Sequence, residues 1–154
     1  MNIKYKLGIT LAELLVVLGI MSLLVTIFMG TFISFRRNQA LVMDTDTVVS
    51  LLRQARNQTL SSKNSMSYGV HFTAPKVTIF TGPTYDANAV DNQDFVLSST
   101  DTVLAISLNG GGSDVVFNRL TGETSQDGTV VISSTGISQT KTVTIYKTGL
   151  VQSQ

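Results

Sequence analysis

Two hydrophobic rhythms divide the chain. Residues 14–35 are largely apolar and carry no charge, a run longer than the ~20 residues a helix needs to cross a bilayer. Neither Pro nor Gly occurs from Thr31 to Ser61, and apolar residues recur there at Leu41, Val48, Leu52 and Ala55. Those steps follow the helical period. Arg36, Arg37, Asp44, Asp46, Arg53 and Arg56 are assigned to the other, polar faces of the same helix. The two acids precede Arg53 and Arg56, an order that suits the helix dipole. One continuous helix is predicted from about Thr10 to about Leu60, roughly 75 Å long at 1.5 Å per residue. Gly19 and Gly30 are its soft points, since Gly weakens a helix interior by about 1 kcal/mol relative to Ala.

Ser61-Ser62-Lys63-Asn64-Ser65 breaks the helical pattern and acts as a linker. Beyond it the rhythm changes to period two, as in Val70/Phe72, Val77/Ile79, Val115/Phe117, Val130/Ile132 and Val143/Ile145. Seven strands are predicted, over 67–73, 76–80, 95–98, 102–108, 114–118, 129–134 and 142–147. Turn signals separate them: Ala74-Pro75, Gly82-Pro83, Asn109-Gly110-Gly111-Gly112, Thr121-Gly122, Asp127-Gly128 and Thr148-Gly149. Short strands and tight turns argue for antiparallel sheets that pack on the helix's apolar stripe. The expected fold class is α+β: a long N-terminal helix, transmembrane in its first half, packed on a C-terminal antiparallel β-sheet domain.

Composition sharpens the division. Of the 154 residues 43% are hydrophobic, and they crowd into the first 35 positions. The absence of cysteine rules out a disulfide framework and any thiolate metal site. Residues 1–61 carry six Lys and Arg against three Asp and Glu, whereas residues 62–154 carry five against seven. A mildly acidic β domain is a poor electrostatic footprint for nucleic acid.

Glu13 is the one charge inside the apolar region, and it needs explaining. An ionised carboxylate at the centre of a membrane helix costs about 2.5–3.5 kcal/mol on insertion scales. Lys4 and Lys6 precede the run and favour a cytoplasmic N-terminus, a bias that Arg36 and Arg37 weaken. The run is too long for an ordinary secretory signal, and Phe35-Arg36-Arg37-Asn38 is no small-x-small cleavage site. An uncut signal anchor is the plain alternative. The stretch Gly8-Ile9-Thr10-Leu11-Ala12-Glu13-Leu14-Leu15-Val16-Val17 resembles the class III signal of type IV prepilins and type II secretion pseudopilins. The resemblance implies cleavage by a prepilin peptidase after Gly8, methylation of the new first residue Ile9, and an assembly role for Glu13. Ile9 and Ala12 depart mildly from the family's usual residues. A freed amine at Ile9 would supply a cation that a neighbouring subunit's Glu13 can pair with. The implied organisation is a leader at 1–8, a transmembrane and assembly helix at 9–35, its amphipathic continuation at 36–61, and a β domain at 62–154.

Within the β domain, Tyr68-Gly69-Val70-His71-Phe72, Val116-Phe117-Asn118-Arg119-Leu120-Thr121-Gly122, Gly128-Thr129-Val130-Val131-Ile132 and 143–151 look like the GspH/FimT type of minor pseudopilin. That resemblance implies a structural, non-catalytic subunit of a type II secretion pseudopilus or a type IV pilus. Its partners would be other pilin or pseudopilin subunits, the prepilin peptidase, an inner-membrane assembly platform and, before assembly, membrane lipid. Such a chain is a single-pass inner-membrane protein, its N-terminus cytoplasmic and its β domain outside the cytoplasm, before it enters the pilus. The alternative is a DNA-uptake or adhesive pilin whose β domain binds a ligand.

Other candidate sites read more plainly. His71 is the sole histidine; with no Cys or second His to join it, a strand-surface role is expected. The stretch from Asp86 to Asp94 offers oxygen ligands for calcium but lacks EF-hand spacing, so a solvated loop is expected. Gly110-Gly111-Gly112 lacks the following Lys-Ser/Thr of a phosphate loop. The sequon Asn57-Gln58-Thr59 lies within the predicted helix. The tail from Thr148 to Gln154 has no Arg, unlike DNA-binding relatives, so nucleic acid is not an expected partner. Neither a catalytic constellation, a metal nor a cofactor is predicted.

Overall fold

The computed structural model describes residues 8–154; residues 1–7, which hold most of the expected leader, lie outside the described residues. Helix α1 runs uninterrupted from Leu11 to Leu60, within one residue of the expected start and through both Gly19 and Gly30. Two compact units divide the chain after Arg36.

The first unit contains the apolar part of α1. Its large side chains, from Leu11 through Phe35, are exposed. Soluble monomers rarely keep a contiguous apolar surface of that size bare, and such a surface marks a contact with membrane or protein. Three hydroxyls of this stretch are satisfied locally. Ser22 donates to the Gly19 carbonyl at 2.9 Å, Thr26 to that of Ser22 at 2.9 Å, and Ser34 to that of Gly30 at 3.3 Å. Such back-bonding lets hydroxyls enter hydrocarbon without an orphaned donor.

Residues 37–154 form the second unit. Eight strands follow the helix: β1 (Tyr68–Thr73), β2 (Lys76–Thr81), β3 (Gln93–Val96), β4 (Asp101–Leu108), β5 (Asp114–Val116), β6 (Gly128–Ser134), β7 (Thr140–Ile145) and β8 (Val151–Ser153). They make two four-stranded sheets, ordered β3-β2-β1-β5 and β4-β6-β7-β8, with every pairing antiparallel. One cluster unites Leu41, Val48, Leu52 and Ala55 of α1 with Val70, Phe72, Val77, Ile79 and Val115 of the first sheet. Val130, Ile132, Val143, Ile145 and Val151 complete it from the second. Full burial of each large side chain is worth about 1.5–3 kcal/mol.

Three expectations need correction. The strand expected at 95–98 lies at Gln93–Val96. Its register is set by Asp94, opposite Thr78, which accepts from Thr78 Oγ1 at 2.6 Å and from Lys76 Nζ at 2.7 Å. Strand β8 was not expected; Val-Gln-Ser is too short and polar to signal itself, and it exists by pairing with β7. Asp44, assigned to a polar face, is 6% exposed. Its carboxylate accepts the Ser98 amide at 2.6 Å and so ties the β3–β4 connection to α1. Burial, chiefly, holds its pKa above the usual carboxylate value, with the neighbouring Asp101 adding to the rise against the Ser98 bond.

Strand β4 reads Val103-Leu104-Ala105-Ile106 where strict alternation fails. A β-bulge lies between Val103 and Ala105. The extra residue, Leu104, stays exposed, and the reset phase lets both Val103 and Ile106 pack on the core.

Candidate assembly site

The expected cleavage and assembly residues meet at the start of α1. Gly8, Ile9 and Thr10 precede the helix and are exposed. The Thr10 carbonyl accepts the first helical bond, from Leu14 N–H at 3.1 Å. Its Oγ1 accepts the Glu13 amide at 3.2 Å. Thr10 is therefore the N-cap, and Thr10-Leu11-Ala12-Glu13 has the Thr-x-x-Glu form of a capping box. That signal was legible in the residues, and it gives Glu13 a local role, because an acid in the first helical turn is stabilised by the helix dipole. Among the described residues the Glu13 carboxylate has no ion pair. The Gly8–Ile9 peptide thus lies in exposed, non-helical chain about one turn from the Glu13 carboxylate.

The other candidates disperse over the β domain. His71 faces outward as expected, yet it is not a free surface residue. Its Nδ1 lies 2.5 Å from Asp114 Oδ1, directly opposite in the β1–β5 register. The Tyr85 ring stacks on it at 3.8 Å and 6°. Tyr85 also meets the edge of Phe80 at 5.5 Å. Asp114, His71, Thr78 and Asp94 form one row across all four strands of the first sheet, a polar cross-strand ladder. No group of three or more His, Cys, Asp or Glu suited to a metal occurs among the described residues.

The Asp86 to Asp94 stretch is ordered by its own bonds. Asp86 Oδ1 accepts the Asn88 amide at 2.9 Å, and the Asp86 carbonyl accepts Asn92 Nδ2 at 2.7 Å. Asp94 is held below the usual carboxylate range, first by its bond from Lys76 and then by that from Thr78. Its oxygens are thus engaged by Lys76 and Thr78. Gly110, Gly111 and Gly112 all have positive φ and make the β4–β5 connection. Thr59 of the sequon is fully buried, its hydroxyl bonded to the Ala55 carbonyl and the Tyr68 amide at 2.9 Å each.

Sequence reasoning missed the arginine clamp at the end of α1. Arg56 Nε donates to the Gly122 carbonyl at 3.1 Å and its Nη2 to that of Thr148 at 3.4 Å. Arg53 Nη2 donates to the Val151 carbonyl at 3.2 Å. Two loops and β8 are thereby tied to one helix face. A Cβ on Gly149 would collide with the Gly122 carbonyl, so only glycine allows that approach. Helical spacing pointed to these arginines as solvated charge; nothing local announced carbonyl partners 66 to 98 residues away.

Comparison with known proteins bears on this arrangement. No curated protein and no solved structure matches the chain. The family model described as type II transport protein GspH matches residues 44–149, more than two thirds of the chain. The match begins on the buried stripe of α1 and ends at the Gly149 turn, covering both sheets except β8. With its long apolar N-terminal helix and antiparallel sheets in a pilin-like α+β arrangement, the chain belongs to the GspH family of type II transport proteins.

Proposed function

We propose that this chain is a minor pseudopilin that enters a type II secretion pseudopilus through its N-terminal helix and performs no catalysis. The observation that carries the reading is the first turn of α1. An exposed Gly8–Ile9 peptide precedes a capped helix whose apolar side chains are bare, and Glu13 has no ionic partner among the described residues. Peptidase cleavage after Gly8 would leave an ammonium on Ile9, and methylation would retain its charge. A carboxylate buried without a cation costs several kcal/mol. Pairing Glu13 with the amine of an adjacent subunit removes that cost at one axial offset, while stem packing supplies the bulk attraction. Before assembly the same stem lies in the inner membrane, with the N-terminus cytoplasmic and the β domain outside. Its partners on this reading are the prepilin peptidase, the assembly platform and the other pseudopilins.

Intact mass of protein from a host with its maturation machinery tests the first step: residues 1–8 are lost and one methyl is gained on Ile9. Glu13→Ala then separates insertion from assembly. The variant fractionates with the membrane like the parent but is depleted from sheared pseudopili. Normal incorporation of Glu13→Ala overturns the pairing mechanism.

A further inference from the structure

Two acids from distant parts of the chain meet in the interior of the β-domain unit. Asp44 of α1 is 6% exposed, and Asp101, the first residue of β4, is 3% exposed. Their carboxyls lie within hydrogen-bonding reach of each other. Asp44 Oδ2 accepts the Ser98 amide, and Asp101 Oδ1 accepts the Thr100 hydroxyl at 2.9 Å. Asp101 Oδ2 is buried with no hydrogen-bond partner. Two ionised carboxylates are acceptors only, and a buried acceptor left unpaired is costly. A proton on one of the acids gives the orphaned oxygen a partner and replaces repulsion with a bond.

No cation stands in for that proton. Among the described residues neither acid has an ion pair with a Lys or Arg. On α1, Asp46 is exposed, and Arg37 lies against Gly136 in the β6–β7 turn. The β3–β4 connection contributes Ser98 and Thr100, and β6 sets Ser134 opposite Asp101. None of these three carries a charge. Burial first, and then Asp101, act to raise the Asp44 carboxyl against the bonds from Ser98. In so close a pair a titrating proton belongs to both groups.

The pair also sits at a joint. Strand β3 belongs to the first sheet and β4 to the second, and the turn from Ser98 to Asp101 lies between them. It is closed by Asp101 N–H donating to the Ser98 carbonyl at 2.8 Å. The Thr135 amide and hydroxyl hold the Thr100 carbonyl at 2.7 and 3.0 Å. On the helix side, Asp44 bonds the same turn through the Ser98 amide. We infer that Asp44 and Asp101 hold one proton between them, and that this proton fastens the turn joining the two sheets to α1. Its release leaves two buried anions side by side, which drives the turn off the helix, so the joint loosens as pH rises. The device needs neither cleavage after Gly8 nor Glu13.

Infrared spectra of the full chain in micelles, labelled with carbon-13 aspartate so that Glu13 does not contribute, follow the proton as pH is raised. One protonated-carboxyl band outlasts those of the exposed aspartates. It is lost in Asp44→Asn and in Asp101→Asn, where the new amide donates the bond that the proton made. Absence of such a band in the parent overturns the proposal, whether or not either variant folds. A band lost in Asp44→Asn but kept in Asp101→Asn also overturns it, because burial of Asp44 alone would then hold the proton. Hydrogen exchange reads the joint. Protection of the Ser98 and Asp101 amides, corrected for intrinsic rate, falls by up to about tenfold per pH unit as the band disappears, the limit for one proton. In Asp101→Asn it stays level. Level protection in the parent over the same range overturns the joint. Calcium chloride at fixed pH leaves band and protection unchanged; displacement of the band by calcium would make the ligand a metal and sink the shared proton.

Discussion

Arg56 is the point at which the end of the helix commands two distant loops, and its removal tests the clamp directly. A hydrogen bond from a charged group contributes about 1.5–3 kcal/mol net. Arg56 makes one of good length, 3.1 Å to Gly122, and one long, 3.4 Å to Thr148, and the side chain is half-buried. The second bond counts for a fraction, so Arg56→Ala is expected to cost about 2–3 kcal/mol. Arg56→Lys keeps the charge but replaces a planar fork with a point donor, and it recovers less than half. Urea unfolding of the full chain in detergent micelles, followed by tyrosine fluorescence, reads both as midpoint shifts at constant slope. Hydrogen exchange adds the location: amides of the Gly149 turn and β8 lose protection before those of β6. An Ala variant within about 0.5 kcal/mol of the parent, the usual range for an uninvolved surface position, would refute the clamp. A Lys variant equal to Arg would show that charge alone, without the forked geometry, does the holding.

Two further perturbations probe the β domain. A Cβ on Gly69 would stand 2.5 Å from Phe80 Cζ and 2.9 Å from the Val115 carbonyl oxygen; Gly69→Ala should therefore cost about 1–3 kcal/mol, and Phe80→Leu in the same chain should cost less than the sum of the two single changes, as measured by denaturant midpoint. Burial raises the Asp44 carboxyl above its ordinary value of 3.8, so the folded state binds more protons than the unfolded one. This group's contribution to stability is greatest below that value and declines as pH rises through the folded pKa. Asp44→Asn keeps an acceptor for the Ser98 amide and removes the decline, so the difference between parent and variant grows in the variant's favour from pH 3.5 to pH 7 in urea melts. A pH-independent difference would show that Asp44 titrates alike in both states.

Much of the architecture was legible because it rests on local periodicity. Leu41, Val48, Leu52 and Ala55 are all fully buried, as their spacing along α1 implied, and the helix ends where Ser61 and Ser62 break the pattern. What escaped was decided by partners distant in sequence. Asp44 is drawn inward by a backbone amide 54 residues away, and no rule of helix faces anticipates that. His71 reads as a lone surface histidine until β5 places Asp114 opposite it and the β2–β3 loop lays Tyr85 on its ring. The bulge at Leu104 was visible only as a failure of alternation. Gly8, Ile9 and Glu13 were singled out by resemblance and by the cost of a charge in an apolar run; the capping role of Thr10 was written in four consecutive residues.

The bulge has a consequence for solubility. Each sheet leaves two strands with an unpaired side, the usual starting points for runaway cross-chain hydrogen bonding. Of these four edges among the described residues, β3, β5 and β8 have four, three and three residues, too few to template a growing ladder. Strand β4, with eight, is long enough, and it alone carries the irregularity that interrupts the row of donors and acceptors. The one long unpaired border among the described residues is thus broken midway, so that contact with neighbouring molecules is left to side chains, which can be selective, and not to backbone, which cannot.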